Sequence, residues 1–361
     1  MCPSMPGKVF LMAGGGTGGH VIPALAVARE LERRGHHPFF VGTERGVEAR
    51  LVPAAGFSLE LIRIGGLKRV GALRRLATLG QLPISTIRMV GLMRRRRTAA
   101  VFSMGGYVAG PPVIAALTTR IPLVVMEPNA VPGFTNRRIG RFVTRALLSF
   151  PETSRYFRPD RTELTGLPVR EEFFMLRRKA RGAGFTILVT GGSQGSRTLN
   201  RASRDSWPLF RESDSQIRFI LQAGKLEFEA IQAEFASAGL DGEVLPFIND
   251  MAAAFAEADL IVCRAGAGAV AELAAAGKPS VLVPFPYAAD DHQLRNAEAF
   301  ARAGATKLEL DRDWTGAKLF QTVTSLAADR GELDRMGDAA RRFAHPGAAA
   351  RAAEILEEVS R

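Results

Sequence analysis

His20 closes the run Gly14-Gly15-Gly16-Thr17-Gly18-Gly19, which joins a short apolar segment (Val9 to Ala13) to a helix-period segment ending at Gly35. An imidazole at a helix start has its protonated form disfavoured by the helix dipole, so it can act as a neutral general base near pH 7. The competing reading is a histidine that only caps the turn. Gly14, Gly16 and Gly19 also satisfy G-x-G-x-x-G, with the acid Glu44 25 residues beyond the last glycine, which is the dinucleotide fingerprint.

Two further glycine loops follow apolar runs: Gly191 to Gly195 after TILVT, and RAGAGAVAEL (264–273) after DLIVC. Such loops present backbone N–H groups at the positive end of a helix, where phosphate binds. One loop alone is equally explained by a tight strand-to-helix turn. The third loop offers N–H groups near Ala267 to Ala269, and Glu272 could accept from a ribose diol or be a solvated helix glutamate. Residues 284–300 gather Asp290, Asp291, His292, Gln293 and Asn296, a set suited to sugar hydroxyls or to an ordinary capped helix start. A dehydrogenase needs one fingerprint domain and a separate catalytic domain, so paired loops fit it less well. G-x-x-x-x-G-K-[ST] is absent, which disfavours a P-loop NTPase. The strand ends read here carry no Asp-x-Asp pair to hold a metal, so a metal-free chemistry is expected.

The elements that must position these residues are legible as apolar runs alternating with helix-period segments. The first half has VFLMA (9–13), FFVG (39–42), LELIRI (59–64), AVFSM (100–104), PLVVM (122–126) and ALLSF (146–150). The second has TILVT (186–190), RFILQ (218–222), GEVLPFI (242–248), DLIVC (259–263) and PSVLVPF (279–285), with helices at Met251 to Ala258 and Ala267 to Ala276. Strands apolar throughout and separated by helices predict parallel sheets covered on both faces. Two tandem α/β units follow, with a linker near residues 163–173 (ELTGLPVREEF). Ligands then belong beyond the carboxyl ends of the strands, with the two units expected to face each other across a cleft.

A length of 361 residues suits two domains, and two cysteines without a Cys/His cluster exclude a disulfide framework and a zinc site. Val9 to Ala13 is too short for a signal-peptide core and no run reaches the length of a bilayer span, so a cytoplasmic protein not integral to a membrane is expected. The net charge of +12 is lopsided: residues 1–167 hold 24 Lys+Arg against 9 Asp+Glu, the remainder 24 against 27. Between Leu61 and Met126 no acid occurs, while Arg63, Lys68, Arg69, Arg74, Arg75, Arg88 and Arg94 to Arg97 cluster. Mixed with Leu, Ile, Val and Met, this stretch suits an anionic lipid surface, or a helix with a solvated basic face packed on the sheet.

Taken together, GGGTGGHVIPALAVA, SMGGYVAGPPVIAA, EPNAVPGFTNR, GLPVR, GGSQGSRTLN, RAGAGAVAEL and PFPYAADDHQLRNA resemble the successive motifs of the MurG family of bacterial N-acetylglucosaminyltransferases, in glycosyltransferase family 28. The resemblance covers nearly the whole chain. It implies a GT-B fold of two Rossmann-like domains, residues 1–167 plus 346–361 on the acceptor and membrane side and 168–345 binding UDP-GlcNAc, the last helix returning to the first domain. It implies inverting transfer of GlcNAc to the 4-hydroxyl of MurNAc in undecaprenyl-pyrophosphoryl-MurNAc-pentapeptide, lipid I becoming lipid II, in cell-wall synthesis tied to cell shape and division.

By position the resemblance places Thr17, Gly18 and Gly19 near donor sugar and acceptor, with His20 as base. Asn129 would contact GlcNAc, Arg170 the nucleotide region, Ser193 a phosphate and Ile248 the uracil through its backbone. Ala267, Gly268, Ala269, Val270, Ala271 and Glu272 would receive diphosphate and ribose, Gln293 the sugar hydroxyls, and Tyr107 lies on the acceptor side. No cofactor, metal or nucleic acid is implied; UDP-GlcNAc, lipid I, the cytoplasmic face of the inner membrane through the basic region 63–97, and other cell-wall synthesis proteins are. The chain departs from the family in having Met126 and Pro128 around Glu127, and Leu167 before Pro168. Two alternatives stand beside this: a GT-B transferase for another nucleotide sugar or lipid acceptor, and a non-catalytic basic protein binding RNA or membranes.

Overall fold

The computed structural model describes residues 7–62, 64, 72–179, 184–213 and 216–361, with the backbone alone for 72–80. The chain divides into two compact units, Met1–Pro168 with Gly347–Arg361, and Val169–Pro346. Each is a Rossmann-like α/β unit built on an all-parallel sheet.

In the first unit the strands are β1 (Val9–Gly14), β2 (His37–Gly42), β3 (Leu59–Leu61), β4 (Thr98–Gly105), β5 (Leu123–Glu127), β6 (Arg145–Leu148) and β7 (Thr162–Leu164). Their order is β3-β2-β1-β4-β5-β6-β7, with Leu11 opposite Phe39 on one side and Val101 on the other. Such central strands are covered on both faces, which is why they read as unbroken apolar runs. Phe10, Leu11, Met12 and Ala13 are all fully buried. β3 ends at Leu61, short of the expected Ile64.

The second unit has β8 (Phe185–Thr190), β9 (Ile217–Gln222), β10 (Gly242–Leu245), β11 (Leu260–Cys263), β12 (Ser280–Leu282) and β13 (Thr306–Leu308), ordered β10-β9-β8-β11-β12-β13. β10 and β12 stop before the ends read from sequence, because the apolar residues that follow them, such as Ile248 and Val283, are buried in loops. β13, reading Thr-Lys-Leu, carries no apolar run and was not anticipated. It pairs with β12 at the sheet edge.

The helix Ala348–Val359 belongs to the first unit and packs Ala352, Ala353, Ile355 and Leu356 inward. Arg34 ties it down, donating to Glu357 at 3.1 Å and Glu354 at 3.1 Å, and Arg351 grips Glu163 at 2.6 Å. Of the basic region, Arg63, Lys68, Arg69 and the side chains of Arg74 and Arg75 lie outside the described residues. The helix Ala72–Arg95 buries Met89, Leu92 and Met93 while Ile84 (56% exposed) and Ile87 (72% exposed) face outward with Arg88, Arg94 and Arg95. Arg96 pairs with Glu60 at 2.5 Å and stacks on Phe39. No helix among the described residues is long and apolar enough to cross a membrane.

Candidate active site

In the first unit the chain leaves β1 at Gly14 and enters the helix Gly18–Arg33 with Thr17 as its N-cap. His20 sits in the first turn, half-buried, its Nδ1 3.3 Å from the carbonyl oxygen of Gly15. Gly16 adopts φ +87°, and a Cβ there would come within 3.1 Å of the Tyr107 ring, so the ring lies directly over the loop. Thr17 and Gly19 are exposed. The loop is thus open to a ligand on one side and closed by Tyr107 on another.

Beneath this loop lies a carboxylate not singled out from the sequence. Glu48 is fully buried and accepts from Gly16 N at 2.8 Å, Thr43 N at 2.9 Å and Thr43 Oγ1 at 2.9 Å. Glu44, the acid the dinucleotide fingerprint points to, is exposed in the loop after β2. The acid turned toward the glycines is instead spent on their own backbone. In the sequence Glu48 reads as one more helix-surface acid, and nothing local marks it as buried.

A second buried carboxylate, Glu127, ends β5. It accepts from Asn129 N at 3.0 Å, Asn129 Nδ2 at 3.0 Å, Gly133 N at 3.1 Å and Asn136 Nδ2 at 2.9 Å. Burial pushes its carboxyl up to about 7, against the pull of the Asn136, Asn129 and Gly133 donors. Asn129 is therefore oriented by its neighbour two residues earlier. Asn136 in turn lies against Gly105, whose Cβ would meet Asn136 Oδ1 at 3.0 Å.

In the second unit the loop after β8 carries the exposed Ser193 and turns at Ser196, whose Oγ caps the helix Arg197–Glu212. Gln222 holds this loop by donating to Gly192 O at 2.9 Å and accepting from Thr190 Oγ1. Arg264, after β11, donates to Ser196 Oγ at 2.7 Å, Asp311 Oδ1 at 2.5 Å and Val283 O at 3.0 Å. One guanidinium thus joins the ends of β8, β11, β12 and β13. Arg264 and Asp311 lie outside the set expected from the sequence, which starts at Ala267 in this loop.

The helix Ala267–Ala276 starts at Gly266, and a Cβ at Gly266 or Gly268 would meet nothing within 4 Å. Gly266, as the N-cap, has no side chain to accept from the first N–H groups of the helix, and a helix start without such a cap suits an anion. Val270 is buried within the helix and Ala271 is half-buried. Glu272, with a side chain 30% exposed, is pushed up to about 7 by desolvation, while Arg170, 3.9 Å away, pulls it down. Arg170 also pairs with Glu172 at 2.9 Å and lies over the Phe173 ring. Gln293 Oε1 accepts from Phe285 N at 3.0 Å, and Asn296 donates to Ala265 O, so the 284–300 segment is laced to the third loop. Ile248 is buried beyond β10, beside the exposed Phe247.

An Asp-x-Asp pair does follow a strand, Asp311 and Asp313 after β13, and corrects the expectation that the strand ends lack one. Its strand, Thr-Lys-Leu, has no apolar signature in the sequence. Asp311 is committed to Arg264 and to Thr198, which donates at 3.2 Å, and Asp313 pairs with Arg312. Among the described residues no group of three or more His, Cys, Asp or Glu side chains could hold a metal ion.

The residues assigned from the sequence therefore stand in the connections that follow strands or in the helices these lead into, with Arg170 just before the short helix Glu171–Phe174. Residues 10–148 match the glycosyltransferase family 28 N-terminal domain and residues 186–356 its C-terminal domain. Over 98% of its length the chain is 65% identical to the UDP-N-acetylglucosamine–N-acetylmuramyl-(pentapeptide) pyrophosphoryl-undecaprenol N-acetylglucosamine transferase of Solibacter usitatus, covering 96% of that relative. It is 45% identical to the protein of the same name from Halorhodospira halophila, covering 98% of this chain and 99% of that one. The crystal structure of Acinetobacter baumannii MurG superposes with a TM-score of 0.82 at 35% identity, over 97% of this chain and 99% of that one. Two glycine-loop sheets and a match of this extent to both halves of one enzyme leave a single assignment: the chain belongs to glycosyltransferase family 28, and within it to the MurG N-acetylglucosaminyltransferases.

Proposed function

We propose that this chain moves N-acetylglucosamine from UDP-GlcNAc to the 4-hydroxyl of MurNAc in undecaprenyl-pyrophosphoryl-MurNAc-pentapeptide, converting lipid I to lipid II. The observation that carries this is the 65% identity, over 98% of the chain, to a transferase of that name. The acceptor oxygen would attack the anomeric carbon, its proton passing to His20, as the bond to the diphosphate breaks with inversion. UDP leaves with added negative charge.

Residues 1–168 with 347–361 would hold the acceptor and 169–346 the donor. The N–H groups at Ala267 to Ala269, with Ser193, would receive the diphosphate and stabilise its developing charge without a metal ion or other cofactor. Glu272 would take the ribose diol, Arg170 the nucleotide region, Ile248 the uracil and Gln293 the sugar hydroxyls. Asn129, its carboxamide oriented by Glu127, would contact GlcNAc from the same side as Thr17, Gly18, Gly19 and Tyr107. The outward Ile84 and Ile87, flanked by Arg88, Arg94 and Arg95, would rest on the anionic cytoplasmic face of the membrane, which attracts basic residues by about 1 kcal/mol each.

The deciding experiment is transfer of labelled GlcNAc from UDP-GlcNAc to a short-chain lipid I analogue. Formation of the disaccharide product is expected; turnover with a different nucleotide sugar in its place would reassign the donor.

A further inference from the structure

Glu48 has no assigned role, yet it is surrounded as if the fold were arranged to admit it. Glycines from two segments make its room: on the stretch leading into it, a Cβ at Gly42 would come within 2.4 Å of Glu48 Cγ and one at Gly46 within 2.1 Å of Glu48 Oε1, and on the loop after β1 one at Gly15 within 2.9 Å of Glu48 Cδ. Any side chain at these positions would drive the carboxylate out. What the carboxylate does in that space is accept Gly16 N–H, Thr43 N–H and the Thr43 hydroxyl.

These bonds reach the residues that would do chemistry. Gly16 lies between Gly15, whose carbonyl is 3.3 Å from His20 Nδ1, and Thr17, which begins the His20 helix. Thr43 Oγ1 lies 3.5 Å from the Tyr107 hydroxyl, and the Tyr107 ring covers Gly16. One anchored carboxylate therefore fixes the loop beneath His20 and the aromatic ring above it. Burial acts to raise the Glu48 carboxyl, but the hydrogen bonds from Gly16, Thr43 and its own N–H outweigh it and hold it below the ordinary glutamate value. The group stays an acceptor throughout the neutral range.

We propose that Glu48 is the positioning residue of the acceptor-side loop, setting the backbone of Gly15 and Gly16, and through Thr43 the Tyr107 phenol, so that His20 meets the acceptor hydroxyl in reacting geometry. This rests on the transferase reading above, with His20 as base. A displacement of about 1 Å at a reacting group can cost about 100-fold in rate. Glutamine at position 48 keeps the shape but turns an NH2 group toward one of the N–H donors it must accept from.

The test compares wild type with Glu48→Gln as full-length protein. Expected are a kcat lower by about 100-fold, a KM for UDP-GlcNAc within about twofold, a nearly unchanged melting temperature, and faster amide hydrogen exchange in the peptide covering residues 13–20. An unchanged kcat overturns the proposal, as does unchanged exchange, or a kcat loss matched by lost donor binding and a collapsed melting temperature. Should Glu48→Gln not fold, Thr43→Val and Thr43→Ser decide: the serine must restore activity that the valine loses, and equal activity in the two overturns the proposal. If wild type itself transfers no GlcNAc, the transferase reading fails, while the exchange comparison still reports on Glu48.

Discussion

Arg264 Nη2 donates to Ser196 Oγ at 2.7 Å, so the residue that caps the helix after β8 is held by a side chain from the end of β11. The guanidinium needs its planar fork, because Nη1 is at the same time 2.5 Å from Asp311 Oδ1. Lysine has a single point charge and cannot span both. Arg264→Lys should weaken UDP-GlcNAc binding by about 10- to 100-fold, the worth of one charged hydrogen bond at roughly 1.5–3 kcal/mol. Isothermal titration calorimetry reads this; affinity equal to wild type would mean the junction does not shape the donor loops.

His20→Ala should lower kcat by about 10²- to 10⁴-fold, the usual yield of a general base. UDP-GlcNAc affinity should hardly move, since the uracil, ribose and diphosphate contacts are assigned to the other unit. Steady-state kinetics with both substrates varied separates the two effects, and a kcat equal to wild type would place the base elsewhere. The same assay in excess EDTA should run at full rate, whereas inhibition reversed by Mg²⁺ would end the metal-free reading.

Glu272, pushed up to about 7, predicts a pH-dependent donor affinity. A carboxylate can accept from both hydroxyls of the ribose diol, while its protonated form accepts more weakly and at fewer sites, so binding should tighten as pH rises through 7. UDP-GlcNAc itself has no group titrating there. Between pH 8 and pH 6 its affinity should fall by about tenfold, one unit of linkage. Glu272→Gln should flatten that profile; a slope that survives the substitution assigns the titration to another group.

Glu127, also pushed up to about 7, predicts a stability effect of definite sign. Its folded value lies above the unfolded one, so the native state holds the proton more tightly and loses stability as pH rises between about 4.5 and 7, by up to roughly 3 kcal/mol, with no further loss above. Chemical denaturation of wild type and Glu127→Gln at pH 5 and pH 7.5 measures the difference. The substituted chain should lose less stability over that interval, and parallel losses would show that Glu127 is not the group titrating.

The architecture was legible because central parallel strands must be apolar throughout: Phe10 to Ala13 and Leu260 to Cys263 announce themselves. β13 does not, since an edge strand of Thr, Lys and Leu has no such signature. Within the site, glycines and the residues beside them were visible as motifs. Glu48, Arg264 and Asp311 were not, because each acts through tertiary hydrogen bonds between loops distant in sequence, Gly16 donating to Glu48 and Arg264 to Asp311. Spacing along a chain carries no trace of such pairings.

The helix Ala348–Val359, held by Arg34 and by Arg351 on Glu163, has a consequence for biosynthesis. Residues 169–346 form a contiguous unit and are synthesised entire while the first unit still lacks the helix that packs Ile355 and Leu356 into it. The half translated first is therefore completed last. A premature stop between residues 347 and 355 would leave the second unit intact and injure the first.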